Sequence, residues 1–330
     1  MSLVGSEKSK GDQKIGSEQV VTETAPGKII LFGEHAVVYG RPALAVPVLQ
    51  VQAVCRVEAG TPDQGLEIIA ADLDQLQNLQ SADDNDPLVA VIRRILTALS
   101  IETIPDLNLT ITSTIPIARG LGSGAAVSTA VVKALARYFE RDISLQTVSE
   151  LVFEVEKLHH GTPSGIDNSV VAFAQPIFFV KGRPIRRLKV ASPLTFIIAD
   201  TGVKSPTHKV VGDLRQRRNQ DVDRYEGYFD EIAVIALQAR VAVEQGFLAS
   251  IGSYMTENHK LLDRLGVSSP LLNSLVDTAL STGALGAKLS GAGWGGNMIA
   301  LTHVEAAENI ARALRQAGAV DTIITQIQPV

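Results

Sequence analysis

Pro116-Ile117-Ala118-Arg119-Gly120-Leu121-Gly122-Ser123-Gly124-Ala125-Ala126 leads directly into a stretch of helical periodicity that runs to about Phe139. Glycines let a backbone approach a ligand closely, and the free N–H groups at a helix N-terminus attract anions. The segment is therefore read as a phosphate cradle. Gly120 to Ala125 also fits the dinucleotide pattern G-x-G-x-x-A. The preceding strand ends near Ser113, however, so a connector containing Pro116 replaces the tight strand-to-helix turn which that pattern needs. Glu140 falls at a helix end and not at the tip of a second strand. No G-x-x-x-x-G-K-[ST] occurs, which removes the P-loop.

Outward from this segment the chain reads as mixed α and β. Lys28 to Phe32 is an apolar run ending at Gly33. Val51, Ala53, Cys55 and Val57 alternate with more polar neighbours, as do Leu107, Leu109 and Ile111. Asp86-Pro87 opens a helix with an N-cap and a first-turn proline. Ser144 caps another, expected to bury Leu151, Val152, Val155 and Leu158 and to stop at Gly161. Residues 61–86 are acidic, hold no Lys or Arg, and read as a solvated loop. Lys181, Arg183, Arg186, Arg187 and Lys189 form a basic stretch between strand candidates at 177–180 and 194–200, read as an exposed hairpin. The second half is mostly helical from about 209 to 282, then strand at 297–302, helix at 303–316 and strand near 322–327. Strands and helices without simple alternation give an α+β chain in two lobes.

Composition sets the outer limits. The 330 residues are enough for about two domains. Thirty Lys and Arg against 35 Asp and Glu give a net charge of −5, which argues against nucleic acid as a partner. No apolar run is long enough to span a membrane. The single cysteine, Cys55, allows no intrachain disulfide and fits a reducing compartment, so the cytoplasm is the expected location. Residues 1–20 read as a polar tail or cloning remnant. The domain expectation is 21–188 for an N-terminal unit and 189–330 for a C-terminal one. A homodimer is left open.

Two further segments carry ionisable groups beside glycines. Ala25-Pro-Gly-Lys-Ile-Ile-Leu-Phe-Gly-Glu-His-Ala-Val-Val-Tyr-Gly40 places Lys28 on a strand and Glu34 and His35 at its end. Such charge is costly there unless paired or functional. A lone lysine at a strand end is ordinarily exposed. Gly291-Ala-Gly-Trp-Gly-Gly296 leads into a strand and makes a backbone loop able to approach a ligand. Glu156 lies on a helix, and Asp167 lies in the Gly/Ser/Pro-rich turn after it. Two carboxylates so placed can converge, one for a divalent cation and one for a proton. An Asx-turn or cap is the equal alternative for Asp167. The histidines lack zinc spacing, and no G-x-S-x-G nucleophile motif occurs.

The three glycine segments, in this order, resemble those of the GHMP kinases, the small-molecule kinases acting on galactose, homoserine, mevalonate and phosphomevalonate. The middle one resembles the family's PxxxGLGSSA phosphate loop. The third resembles its KLSGAGGGG segment, with Trp294 replacing a glycine. Gly33-Glu-His-Ala-Val-Val-Tyr-Gly40 and His160-Gly-Thr-Pro-Ser-Gly-Ile-Asp-Asn168 are most like the branch that phosphorylates the C5 hydroxyl of (R)-mevalonate. The resemblance implies an N-terminal lobe like the second domain of ribosomal protein S5, a ferredoxin-like C-terminal lobe, and ATP with Mg²⁺. It makes Asp167 the catalytic base with Lys28 as its cationic partner, and Glu156 the Mg²⁺ carboxylate. Residues 116–126 and Ser113 would contact the nucleotide. Lys28, Glu34, His35 and Thr207 would contact the acceptor. The family's second loop serine, a metal ligand, is here Gly124, so the hydroxyl is missing and Ser123 is the nearest substitute. A sibling kinase for another alcohol, and a weakly catalytic nucleotide-binding regulator, are the alternatives.

Overall fold

Alternation of buried and outward residues builds the first sheet of the computed structural model, which describes residues 19–160 and 163–329. The tail expected at the N-terminus lies outside these residues up to Glu18, as does the expected helix stop at Gly161. Strands β1 (Val21–Phe32) and β2 (Ala43–Ala59) pair antiparallel, from Val21 opposite Val57 to Phe32 opposite Leu44, with register shifts between Pro26 and Gly27 and between Ile30 and Phe32. The other edge of β2 is shared. β5 (Leu107–Ser113) pairs with its second half, and β6 (Ile177–Phe179) with its first. β3 (Leu66–Ala70) runs parallel to β5, and β4 (Gln75–Asn78) closes that edge. Residues 61–86 are thus not only a loop: Leu66 and Ile68 are buried because β5 offers them a partner strand. β7 (Arg186–Arg187) pairs with β6 and leaves the basic side chains exposed, as a hairpin.

Helices α1 (Pro87–Ala98), α2 (Ser123–Tyr138), α3 (Leu145–His160) and α4 (Ile166–Phe173) pack with this sheet, α2 directly against β1 and β2. Asp86 caps α1, its Oδ1 accepting from the amides of Leu88 (2.8 Å) and Val89 (3.3 Å). A cap of this kind is worth about 1 kcal/mol. Ser144 caps α3 through the Thr147 amide at 3.0 Å. α3 buries Val152 and Val155, while Leu158 is exposed near the helix end and not part of the core.

The second sheet has the order β11 (Asp321–Ile327), β8 (Leu194–Asp200), β10 (Asn297–Thr302), β9 (Gly286–Ser290), with every neighbour antiparallel. Its first and third strands are central, the arrangement of a split βαβ unit and so ferredoxin-like. Every residue of β8, β9 and β10 is buried, so both faces are covered. The helical insertion before β9 comprises α5 (Thr207–Gln220), α6 (Val222–Gln245), α7 (Leu248–Arg264) and α8 (Pro270–Ser281); α9 (Ala307–Gln316) precedes β11. Among the described residues no helix is long and apolar enough to cross a membrane.

The two sheets meet along β1 and β9. The Ser290 hydroxyl accepts from the Ile30 amide at 3.1 Å and donates to its carbonyl at 3.0 Å. The C-terminal half also grips the glycine segment of the N-terminal half. Asn297 Nδ2 donates to Arg119 O (2.5 Å), and the Ser205 amide donates to Ala118 O (3.2 Å).

Candidate active site

β1 sets the centre of the site. Its residues from Ala25 to Phe32 are all buried, and Lys28 with them, at 3% exposure. Lys28 therefore sits within the strand and inside the protein, not at an exposed strand end. A buried ammonium needs a partner, and Nζ finds Asp167 Oδ1 at 2.9 Å. Asp167 is in the first turn of α4, not in a turn before it, behind Gly165 as N-cap. The helix N-terminus favours a carboxylate at that place. Glu156, from α3, is half-buried beside this pair. Burial, then the Asp167 carboxylate, pushes its carboxyl up to about 8, against the pull of Lys28. The two carboxylates do converge.

The phosphate-cradle segment lies over Lys28. The Lys28 amide donates to Leu121 O at 2.9 Å, which fixes the loop to β1. Gly122 is the N-cap of α2 with φ 76°, and a Cβ there would stand 2.9 Å from Lys28 Cγ. Both facts demand glycine. No side chain caps this end, so the first amides of α2 remain for a ligand. A Cβ at Gly124 would meet nothing within 4 Å; the missing hydroxyl leaves open space.

Two cavities adjoin here. One, of about 610 Å³, is lined by Ser113, Pro116, Ile117, Ala118, Gly120, Gly122, Ser123, Gly124 and Ala125, with Leu73, Leu88 and Ile111 forming apolar wall. The other, of about 330 Å³, is lined by Lys28, Glu34, His35, Thr207 and Arg215. Gly120, Glu156, Asp167, Thr207 and His208 line both. Of the residues expected at the nucleotide, Arg119, Leu121 and Ala126 line neither cavity. Leu121 and Ala126 are buried in the scaffold, and Arg119 is turned to Asp200, with Nε 3.4 Å from Oδ2. Of the third glycine segment, Gly291 and Ala292 line the smaller of these two cavities and the other residues line neither. A Cβ on Gly293 would stand 1.9 Å from Val267 O, and the Trp294 indole donates to Gly266 O at 2.9 Å, so the remainder is packed inward.

Glu34 and His35 line the smaller cavity but are 1% and 5% exposed. Glu34 is ion-paired to Lys288 on β9. His35 Nε2 lies 2.9 Å from Ala292 O and so carries the proton. Burial holds the His35 imidazole down to about 4, and His259, buried near Lys288, likewise. Both histidines stay neutral in the fold and charge on unfolding. Stability is whole above the unfolded value near 6.5 and falls as pH drops toward 4. Replacing His259 by Gln should flatten the thermal-denaturation slope between pH 6.5 and 4.5, by roughly 1.4 kcal/mol for each pH unit over which the group titrates. A variant with the wild-type slope would clear His259 of this role.

Lys288, His208 and Arg215 escaped the sequence reading. The signal for Lys288 was present in Ala287-Lys288-Leu289, a charge inside an apolar strand. His208, Val211, Gly212 and Arg215 share one face of α5 at helical spacing and line the smaller cavity. That stripe is not apolar, which is why core-seeking periodicity passes over it.

Family models for the GHMP kinases N terminal domain and GHMP kinases C terminal match residues 87–175 and 239–320. The mevalonate kinase of Thermococcus sibiricus is 32% identical over 326 residues, covering 93% of this chain and 96% of its own. That of Archaeoglobus fulgidus is 35% identical over 280 residues, covering 84% and 91%. A crystal structure of L. major mevalonate kinase in complex with R-mevalonate superposes with a TM-score of 0.82 at 28% identity, over 95% of this chain and 97% of that one.

Proposed function

The chain belongs to the GHMP kinase family, and on that premise we propose that it transfers the γ-phosphoryl group of ATP to the C5 hydroxyl of (R)-mevalonate, giving 5-phosphomevalonate and ADP. The observation that carries this reading is the shared wall of the two cavities. A nucleotide in the larger one and an alcohol in the smaller one would meet at Asp167 and Glu156.

Phosphoryl transfer asks chiefly for positioning and charge neutralisation. Asp167 orients the C5 hydroxyl and takes its proton as the new P–O bond forms. The bond from the γ-phosphorus to the bridging oxygen breaks, and ADP leaves with that electron pair. Lys28 holds Asp167 in place and adds positive charge. The amides of residues 122–125 at the head of α2 receive phosphate oxygens. Glu34, His35 and Thr207 face the acceptor.

A divalent cation fits the carboxylate pair. Among the described residues no group of three or more His, Cys, Asp or Glu could hold a metal ion by itself. Mg²⁺ is usually bound by one or two carboxylates together with substrate phosphates, and the raised Glu156 carboxyl beside Asp167 wants a positive neighbour. Glu156 would hold it, with Ser123 at the loop; when bound, the ion neutralises phosphate charge. The single buried cysteine supports a cytoplasmic, reducing location. We set the boundary between the two lobes near residue 188.

The five basic residues of the 181–189 hairpin, the expected source of cations for a phosphorylated acceptor, line neither cavity; the cationic side chains of the smaller one are Lys28 and Arg215. ADP release measured with (R)-mevalonate, phosphomevalonate, homoserine and galactose should favour mevalonate by at least about 100-fold in kcat/KM. Faster turnover of any other member would overturn the assignment.

A further inference from the structure

The larger cavity has two ends of different chemistry. At one, the head of α2 offers its amides, with Glu156, Asp167 and His208 nearby. At the other, Leu73, Leu88 and Ile111 form the apolar wall. A nucleotide held by its phosphates at the first end lays its base against the second.

One ionisable side chain belongs to that second end. Asp72 sits in the short 3₁₀ turn Ala71–Leu73 that follows β3, within the acidic stretch expected to be a solvated loop. β3 runs beside β5 as far as Ala70 opposite Ile111. Beyond that point the Asp72 side chain continues the pairing, its Oδ2 accepting from the Ser113 amide. The carboxylate is thereby held at the cavity wall. No Lys or Arg lines this cavity, so hydrogen bonding at its far end is set by an acceptor. A carboxylate accepts and does not donate. Adenine carries an exocyclic amino donor where guanine carries a carbonyl acceptor.

We propose that Asp72 sets the nucleobase preference of the enzyme: its carboxylate, anchored through Oδ2 to the Ser113 amide, accepts the exocyclic amino group of adenine and turns guanine away. The assignment rests on the nucleotide reading of the larger cavity given above. If Asp72 only closed the end of β5, asparagine would serve as well. The amide oxygen of asparagine can accept from Ser113 as the carboxylate does. Its NH₂ group then faces the base, a donor in place of an acceptor.

Titration calorimetry with ADP, GDP and purine riboside diphosphate, which has hydrogen in place of the amino group, tests this without any acceptor alcohol. Wild type should bind ADP about 30- to 100-fold more tightly than GDP and about tenfold more tightly than purine riboside diphosphate, the cost of leaving a polar group unpaired. Asp72→Asn should weaken ADP about tenfold and strengthen GDP about fivefold, bringing the two within about threefold of each other. Purine riboside diphosphate should stay within about twofold of wild type. Asp72→Ala should lower ADP to the affinity of purine riboside diphosphate, and it carries the test if the asparagine variant does not fold. Equal wild-type affinities for ADP and purine riboside diphosphate, or a wild-type ADP-to-GDP ratio in either variant, overturns the proposal. So does a preference for ADP over 2′-deoxy-ADP that Asp72→Ala abolishes, which would assign the carboxylate to the ribose. If none of the diphosphates binds, the nucleotide reading of the cavity fails and this assignment with it.

Discussion

Asp167→Asn is expected to bind ATP within about threefold of wild type and to turn over about a thousandfold more slowly, within the usual range for loss of a positioned proton acceptor. Asparagine keeps the shape of the side chain and its place in the first turn of α4. It loses the charge that meets Lys28 at 2.9 Å and the basic oxygen that faces both cavities. The cradle is made from backbone and helix α2, which the substitution does not touch. Binding and chemistry should therefore separate cleanly. Calorimetric titration of the nucleotide, beside steady-state turnover, measures the two. An asparagine variant within tenfold of normal turnover would remove Asp167 from proton transfer.

Lys28→Met should cost about 100- to 1,000-fold in kcat, because Asp167 and Glu156 would then face each other without their common cation. Methionine preserves much of the stem that lies against Gly122, so packing is largely retained. The Glu156 carboxyl, already raised by burial and by Asp167, would rise further once the Lys28 pull is gone. Lysine and aspartate act here as one unit, so Lys28→Met combined with Asp167→Asn should be scarcely slower than the worse of the two alone. Losses that multiplied in full would show the two side chains acting independently. Arginine in place of Lys28 should not restore activity, since a planar fork needs space that the buried strand and Gly122 do not leave.

What could be read from the chain was local. The caps at Asp86 and Ser144, the glycine cradle and the alternation in β2 and β5 are each written within a few residues, and the structure has them in place. What could not be read depends on partners distant in sequence. A lone lysine is ordinarily exposed, and Lys28, on β1, is buried with Asp167 of helix α4 as its partner. Leu66 and Ile68 looked like loop residues until β5 supplied a parallel neighbour. Ser169-Val170-Val171 is rich in β-formers, yet it belongs to helix α4, whose first turn carries Asp167, and its valines are buried. The pairing of Glu34 with Lys288 joins opposite ends of the chain, and no spacing rule connects them.

The amide of Lys28 bonded to the carbonyl of Leu121 has a consequence for which changes in chain length the protein can absorb. From Gly27 to Ile30 the pairing with β2 keeps one register, between shifts at Pro26/Gly27 and Ile30/Phe32, so losing a residue within that stretch would turn the side chains beyond it to the opposite face and pull Lys28 from the loop that rests on it. Insertions and deletions should thus be forbidden in the stretch from Gly27 to Ile30, although no ligand touches most of it. The exposed turn between β6 and β7 touches neither cavity and has no such bond to lose. Length variation among natural or engineered descendants of this chain should accumulate there, leaving Gly27 to Ile30 untouched.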